Sequence, residues 1–135
     1  MANNDVILNK IATIERCVNR VNEVYCDNPE NLQDITKQDS IILNIQRACE
    51  ASIDLAMHIV SELKFGLPKT SREAFKYLEE NEIIDHALAK TLMNMVGFRN
   101  IAVHDYQAID LDILQAIIKN HLNDFKAYTE AVLLI

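Results

Sequence analysis

The chain has 135 residues, half of them hydrophobic and 24% charged, with two Gly, two Pro and a formal net charge of −7. That length suits one domain spanning residues 1–135 with its own core and no need of disulfides or metal, and so little Gly and Pro favours long helices over many tight turns. The charge excludes an indiscriminate nucleic-acid binder, whose affinity would come from neutralising phosphates, so any RNA contact has to be local.

From Asp5 to about Tyr25, the apolar positions Ile7, Ile11, Ile14, Val18, Val21 and Tyr25 recur in steps of three and four. They line one face of a long helix that Asn4 or Asp5 can cap. The stretch CDNPENLQDITKQ carries Pro29 among Asn and Asp residues and reads as a connection. A second long helix is expected from about Asp39, with the stripe Ile42, Ile45, Cys49, Ile53, Ala56, Ile59 and Leu63, and the FGLP segment supplies Gly and Pro to end it. Thr70 and Glu73 have capping-box spacing, which predicts a short helix through Glu80 that Asn81 ends. A fourth helix starts near Asp85 and carries Leu88, Leu92, Met95 and Val96; the last starts near Asp110 and packs Ile113, Ile117, Leu122, Phe125 and Val132. The expected fold is all-α: antiparallel helices in a four-helix-bundle-like body with a short extra helix.

Cys17, Cys26 and Cys49 are odd in number and lack C-x-x-C spacing, which points to buried reduced thiols and a cytoplasmic protein. The N-terminus has no basic-then-apolar signal pattern, and no apolar run reaches the roughly 20 residues needed to span a bilayer.

The stretch GFRNIAVHDY, residues 97 to 106, brings an arginine, a histidine and a tyrosine into a mostly apolar helical context. In an unbroken helix Asn100 and His104 lie one turn apart, about 40° around the axis, whereas Arg99 and His104 diverge by about 140°. Asn100 can therefore orient the imidazole more easily than Arg99 can reach it. A convergent Arg and His site requires the helix to loosen or a second subunit to contribute. By composition alone, an Arg and a His near a helix C-terminus more often serve the last carbonyls and the macrodipole, and a tyrosine there more often lays its ring on the core.

Other constellations are weaker. His58 stands one turn from Asp54 and Glu62, but no H-E-x-x-H occurs and a solvated or paired histidine is the plainer reading. The helical di-iron pattern needs Glu three residues before His, where this chain has Leu55, Ile83, Ile101 and Ile118. Gly66 and Gly97, the two glycines, form no phosphate loop, and no nucleophile elbow supports a serine or cysteine.

GFRNIAVHDY resembles the signature of the HEPN superfamily and specifically of HepT-type toxins, Arg-x-x-x-x-His-x-Tyr, with Arg99, His104 and Tyr106 at its three positions. The polar Asn100 after the arginine, the two long helices, the GLP break and the segment ending NEIID resemble the family as well. The resemblance implies a HEPN fold and a metal-independent endoribonuclease without a cofactor, acting as a homodimer whose two motifs face one cleft. It implies Arg99 as stabiliser of the phosphorane, His104 as acid/base, Asn100 as a residue that holds the ring or the RNA substrate, and no activity on DNA. It further implies a toxin of a type VII toxin–antitoxin pair, silenced when a nucleotidyltransferase (MntA-type) antitoxin transfers AMP to Tyr106. The alternative is a catalytically silent HEPN dimer that binds nucleotide or a nucleotidyltransferase partner.

Overall fold

A computed structural model of the chain describes residues 4–135, the side chain of Asn4 excepted. Among the described residues the chain forms α1 (Asn4–Tyr25), α2 (Ile35–Glu62), α3 (Ser71–Glu80), α4 (His86–His104), α5 (Leu111–Asn120) and α6 (Leu122–Leu133), with short 3₁₀ turns at Pro29–Gln33 and Tyr106–Ala108. α1 and α2 pack along their length, and an ion pair from Lys10 Nζ to Asp54 Oδ2 at 3.2 Å shows that they run antiparallel. α3, α4 and α6 close around this pair. The result is an all-α, four-helix-bundle-like body with α3 as the short extra helix.

The α1 stripe is buried as its spacing predicts, apart from Val18, which is half-buried; the capping side chain of Asn4 lies outside the described residues, and Asp5 falls in the first turn. α2 buries more than one stripe. Besides Ile42, Ile45, Cys49, Ala56 and Ile59, it buries Ile41, Ala48, Ala51, Ser52, Leu55 and Val60, because it is the central helix with neighbours on several sides. Tyr128 of α6 shows how tightly: its ring meets Phe75 edge-on with centroids 5.9 Å apart, and its hydroxyl donates to the Ser52 carbonyl at 2.9 Å, so the buried polar atom is satisfied.

Four expectations are corrected. α2 begins at Ile35 instead of Asp39, because Asp34 is the N-cap and its Oδ1 accepts from the Lys37 N–H at 3.0 Å. The last helix is two, since His121 leaves helical geometry at φ −124 after its N–H has bonded the Ile117 carbonyl; α5 also turns Ile113 outward, where it is 56% exposed. Thr70 accepts from the Glu73 N–H at 3.1 Å, but the Glu73 carboxylate accepts from the Tyr77 hydroxyl at 3.1 Å, so the capping box forms only its Thr half. Cys17 and Cys49 are buried, while Cys26 is exposed, in left-handed geometry (φ 50) just past the end of α1.

At the end of α2 the left-handed position is Lys64 (φ 57), and a bond from the Phe65 N–H to the Val60 carbonyl at 3.0 Å closes the helix. Gly66 then answers a second demand. Its φ is 149, and a Cβ there would lie 3.0 Å from the Tyr77 ring. No helix among the described residues is long and apolar enough to cross a membrane.

Candidate active site

α4 positions the motif. Asp85 caps its start by accepting from the Leu88 N–H at 2.8 Å, and Ala89, Leu92, Met95, Val96, Phe98 and Ala102 bury its inner surface. The helix stays intact from Arg99 to His104, its last residue, and Asp105 ends it with an N–H to the Ile101 carbonyl. Arg99 and His104 therefore keep the divergence of about 140° that an α-helix imposes.

Arg99 does not serve the helix-end carbonyls. Its Nε–H and Nη2–H both donate to Glu50 Oε2 on α2, at 3.2 and 3.1 Å, and its Nη1–H donates to Asn100 Oδ1 at 3.1 Å. The guanidinium is half-buried and fixed from two sides, with an adjacent carboxylate offsetting its charge. Asn100 thus spends its carbonyl oxygen on Arg99 and keeps its amide N–H groups for the ring or the substrate.

His104 is exposed, and among the described residues no hydrogen bond or ion pair engages its ring. It is available to a group arriving from outside. Exposed Ile101 and Val103 flank it on α4.

Tyr106 opens the 3₁₀ turn after α4, is 40% exposed, and donates its hydroxyl hydrogen bond to Asp39 Oδ1 on α2. Burial, then the hydrogen bond to Asp39 and the charge of that carboxylate, push the phenol up to about 12. The other tyrosines are less exposed: Tyr25 and Tyr128 are buried, and half-buried Tyr77 donates to Glu73. Taken as whole side chains, Tyr106 is the most exposed of the four tyrosines.

Reading the sequence alone did not single out Glu50 or Asp39. They are eleven positions apart on one helix, which is three turns plus about 20°, so both lie on the α2 face turned to the motif, about 16 Å apart along the axis. Two carboxylates at that spacing on a polar face were the available signal. A groove of about 460 Å³ lies beside the motif between α4 and α5, lined by Met95, Phe98, Ile101, Ile109, Ile113 and Ile117 among others. The His58 cluster does not assemble: Asp54 is taken by Lys10, and among the described residues no three His, Cys, Asp or Glu side chains converge as metal ligands.

Residues 14–132 match the family model described as ribonuclease HepT-like. The chain belongs to that family. The mRNA nuclease HepT of Shewanella oneidensis is 49% identical over 129 residues, covering 96% of this chain and 97% of the relative. Among solved structures, the tri-AMPylated Shewanella oneidensis HEPN toxin in complex with its MNT antitoxin superposes with a TM-score of 0.93 at 47% identity, covering 98% of this chain and all of that one. A toxin–antitoxin complex with AMP-PNP gives the same TM-score at 46% identity over 97% of this chain and 99% of that one. Within this HepT-like chain, Arg99, His104, Tyr106, Glu50 and Asp39 all fall inside the matched stretch.

Proposed function

We propose that this chain is the toxin of a type VII toxin–antitoxin pair. It is a cytoplasmic, metal-independent endoribonuclease that acts as a homodimer and is silenced by AMP transfer to Tyr106. The observation that carries the reading is the state of the motif in a HepT-like chain: a fixed, cationic Arg99 and an unengaged, exposed His104 on one intact helix.

The chemistry follows from these groups. An RNA 2′-hydroxyl next to the scissile phosphate attacks phosphorus once its proton is removed, and the 5′-oxygen leaves once it is protonated; an imidazole, able both to accept and to donate a proton, serves either transfer. His104 is that acid/base. The phosphorane gathers negative charge that a planar, permanently protonated guanidinium meets with directed N–H groups, and Arg99 is held ready for it. α4 holds the two on diverging faces, which supports a second subunit as the means of bringing Arg99 and His104 onto one phosphate. The exposed Ile101 and Ile113, which line the groove beside the motif together, offer that subunit an apolar face.

The test is cleavage of RNA by the purified homodimer with and without EDTA. Cleavage that survives the chelator, leaves a 2′,3′-cyclic phosphate, and spares DNA and RNA with a 2′-deoxy residue at the cut site supports the mechanism. Cutting of the deoxy-substituted bond overturns it. One observation favours the alternative of a silent HEPN dimer that binds nucleotide or a nucleotidyltransferase: the charge of Arg99 is already offset by Glu50 in a chain of net charge −7. The same assay separates the two, since the silent dimer cuts nothing.

A further inference from the structure

Transfer of AMP to a tyrosine requires that the phenol lose its proton as its oxygen becomes bonded to phosphorus. That proton needs a base within reach to receive it. In this chain the acceptor already carries one. The Tyr106 hydroxyl donates to Asp39 Oδ1, a contact between residues 67 positions apart that joins the α4–α5 connection to the second turn of α2.

Asp39 is otherwise uncommitted. Among the described residues no cation pairs with it, and the nearby Lys37 instead donates its ammonium to Asn31 Oδ1 at 3.0 Å. The carboxylate is exposed, so a proton it accepts can pass on to water. It is not the helix cap either, a role Asp34 fills.

Resting on the reading of Tyr106 as the AMP acceptor, we infer that Asp39 is the proton acceptor for that modification, so that the toxin supplies the base for its own silencing. The Tyr106 oxygen attacks the α-phosphorus of ATP held by the nucleotidyltransferase, and an O–P bond forms. The bond from that phosphorus to the oxygen bridging to the β-phosphate breaks, and pyrophosphate departs with the electron pair. The phenolic proton moves to Asp39 Oδ1 and then to solvent.

Two features fit a base resident on the toxin. With its phenol pushed up to about 12, only about one Tyr106 in 10⁵ is ionised at pH 7, so the proton has to leave during the reaction. The carboxylate is already within hydrogen-bond reach of that proton, which is the first geometric requirement of a general base. Asp39 touches the reacting oxygen and no part of the Arg99 and His104 machinery, so silencing and RNA cleavage draw on different carboxylates of α2.

The experiment is single-turnover AMP transfer to the full-length chain by its nucleotidyltransferase with ATP, followed by intact mass and peptide mapping between pH 6.5 and 9, with binding of the two proteins measured in parallel. Asp39→Asn keeps the acceptor oxygen and the size but not the basicity. Its transfer rate at Tyr106 should fall by about 10² to 10⁴ and climb roughly tenfold per pH unit as hydroxide takes over, while wild type stays nearly flat above neutrality. Asp39→Glu should recover part of the rate. An Asp39→Asn rate within threefold of wild type overturns the inference, as does a slower rate with an unchanged pH profile, which would mark a positioning effect. A wild-type chain that gains no AMP at Tyr106 would instead sink the reading on which the inference rests.

Discussion

The Arg99 guanidinium gives two of its N–H groups to a single oxygen of Glu50, at 3.2 and 3.1 Å, and a third to Asn100 at 3.1 Å. This fork fixes the plane of the guanidinium before any phosphate arrives. Side chains on both sides of the pair remain about a third exposed, so the ion pair itself adds at most about 1 kcal/mol to stability. Its larger effect is on position. Glu50→Ala should leave the melting temperature nearly unchanged yet lower RNA cleavage by up to about 10², the order of loss that a misplacement near 1 Å produces. Glu50→Gln, which keeps an acceptor oxygen, should lose less. Equal activity of Glu50→Ala and wild type in single-turnover cleavage would show that Arg99 needs no such hold.

The Tyr106 phenol provides a titration test with a defined sign. Its folded-state value is raised to about 12, so the folded chain holds this proton more tightly than the unfolded chain does. The corresponding stabilisation is present below the unfolded value of about 10 and is lost as pH rises through about 12. Asp39→Asn removes the charge but leaves burial, the larger cause, so the phenol should titrate lower than in wild type and still above about 10. Tyrosine-selective isotope labelling and NMR titration would follow it. A resonance that titrates identically in both chains would show that the contact is not felt in solution.

The cysteines separate by burial. Cys49 is pushed up to about 12 by burial first and the adjacent Glu50 second, against a lowering by Arg99, and Cys17 is raised by burial, while Cys26 sits exposed past the end of α1. Thiolates, not thiols, react with iodoacetamide. Native protein at pH 8 should therefore take one label, at Cys26, and denatured protein three. Rapid native labelling at Cys49 would contradict the packing of α2.

What could be read in advance divides by sequence distance. The motif on α4 was legible because Arg99, Asn100, His104 and Tyr106 lie within eight positions, and the helix stripes were legible because burial repeats every three or four residues. Glu50 and Asp39 were not, since they meet their partners from 49 and 67 positions away and a carboxylate on a polar helix face looks like any solvated charge. The early start of α2 was hidden by the Asn- and Asp-rich stretch around Pro29, in which Asp34 is both loop residue and cap. The break at His121 carries no Gly or Pro. It is local to an Asn-His pair whose imidazole bonds Asp124 at 2.9 Å, and periodicity runs straight through it.

Tyr106→Phe keeps the ring and loses the acceptor oxygen. Co-expressed with the nucleotidyltransferase, this variant should stay unmodified and toxic, whereas wild type should carry AMP at Tyr106 and bind RNA poorly, because added phosphate charge beside Arg99 and His104 repels the RNA backbone. Intact mass and peptide mapping read the outcome. Modification at Tyr77 in place of Tyr106 would refute the assignment, and buried Tyr25 and Tyr128 should never be reached.

The geometry of α4 makes the dimer testable in a way that no single variant can match. Arg99→Ala and His104→Ala should each fold normally, since neither side chain belongs to the core, and each should lose about 10² to 10⁴ in cleavage rate as a homodimer. Heterodimers pairing one variant with the other distinguish two architectures. If each phosphate is served by Arg99 of one subunit and His104 of its partner, one of the two composite sites in the mixed dimer contains both wild-type groups and the other contains neither, so about half of the wild-type activity per dimer returns. If each subunit supplies both groups to its own site, every site in the mixed dimer lacks one group and no activity returns. The unbroken helix from Arg99 to His104 predicts the first result, because about 140° of rotation keeps the two side chains of one subunit from closing on the same phosphorus. Purified heterodimers carrying different affinity tags, assayed against both parent homodimers, would decide it, and inactivity of verified heterodimers would assign both groups to a single chain.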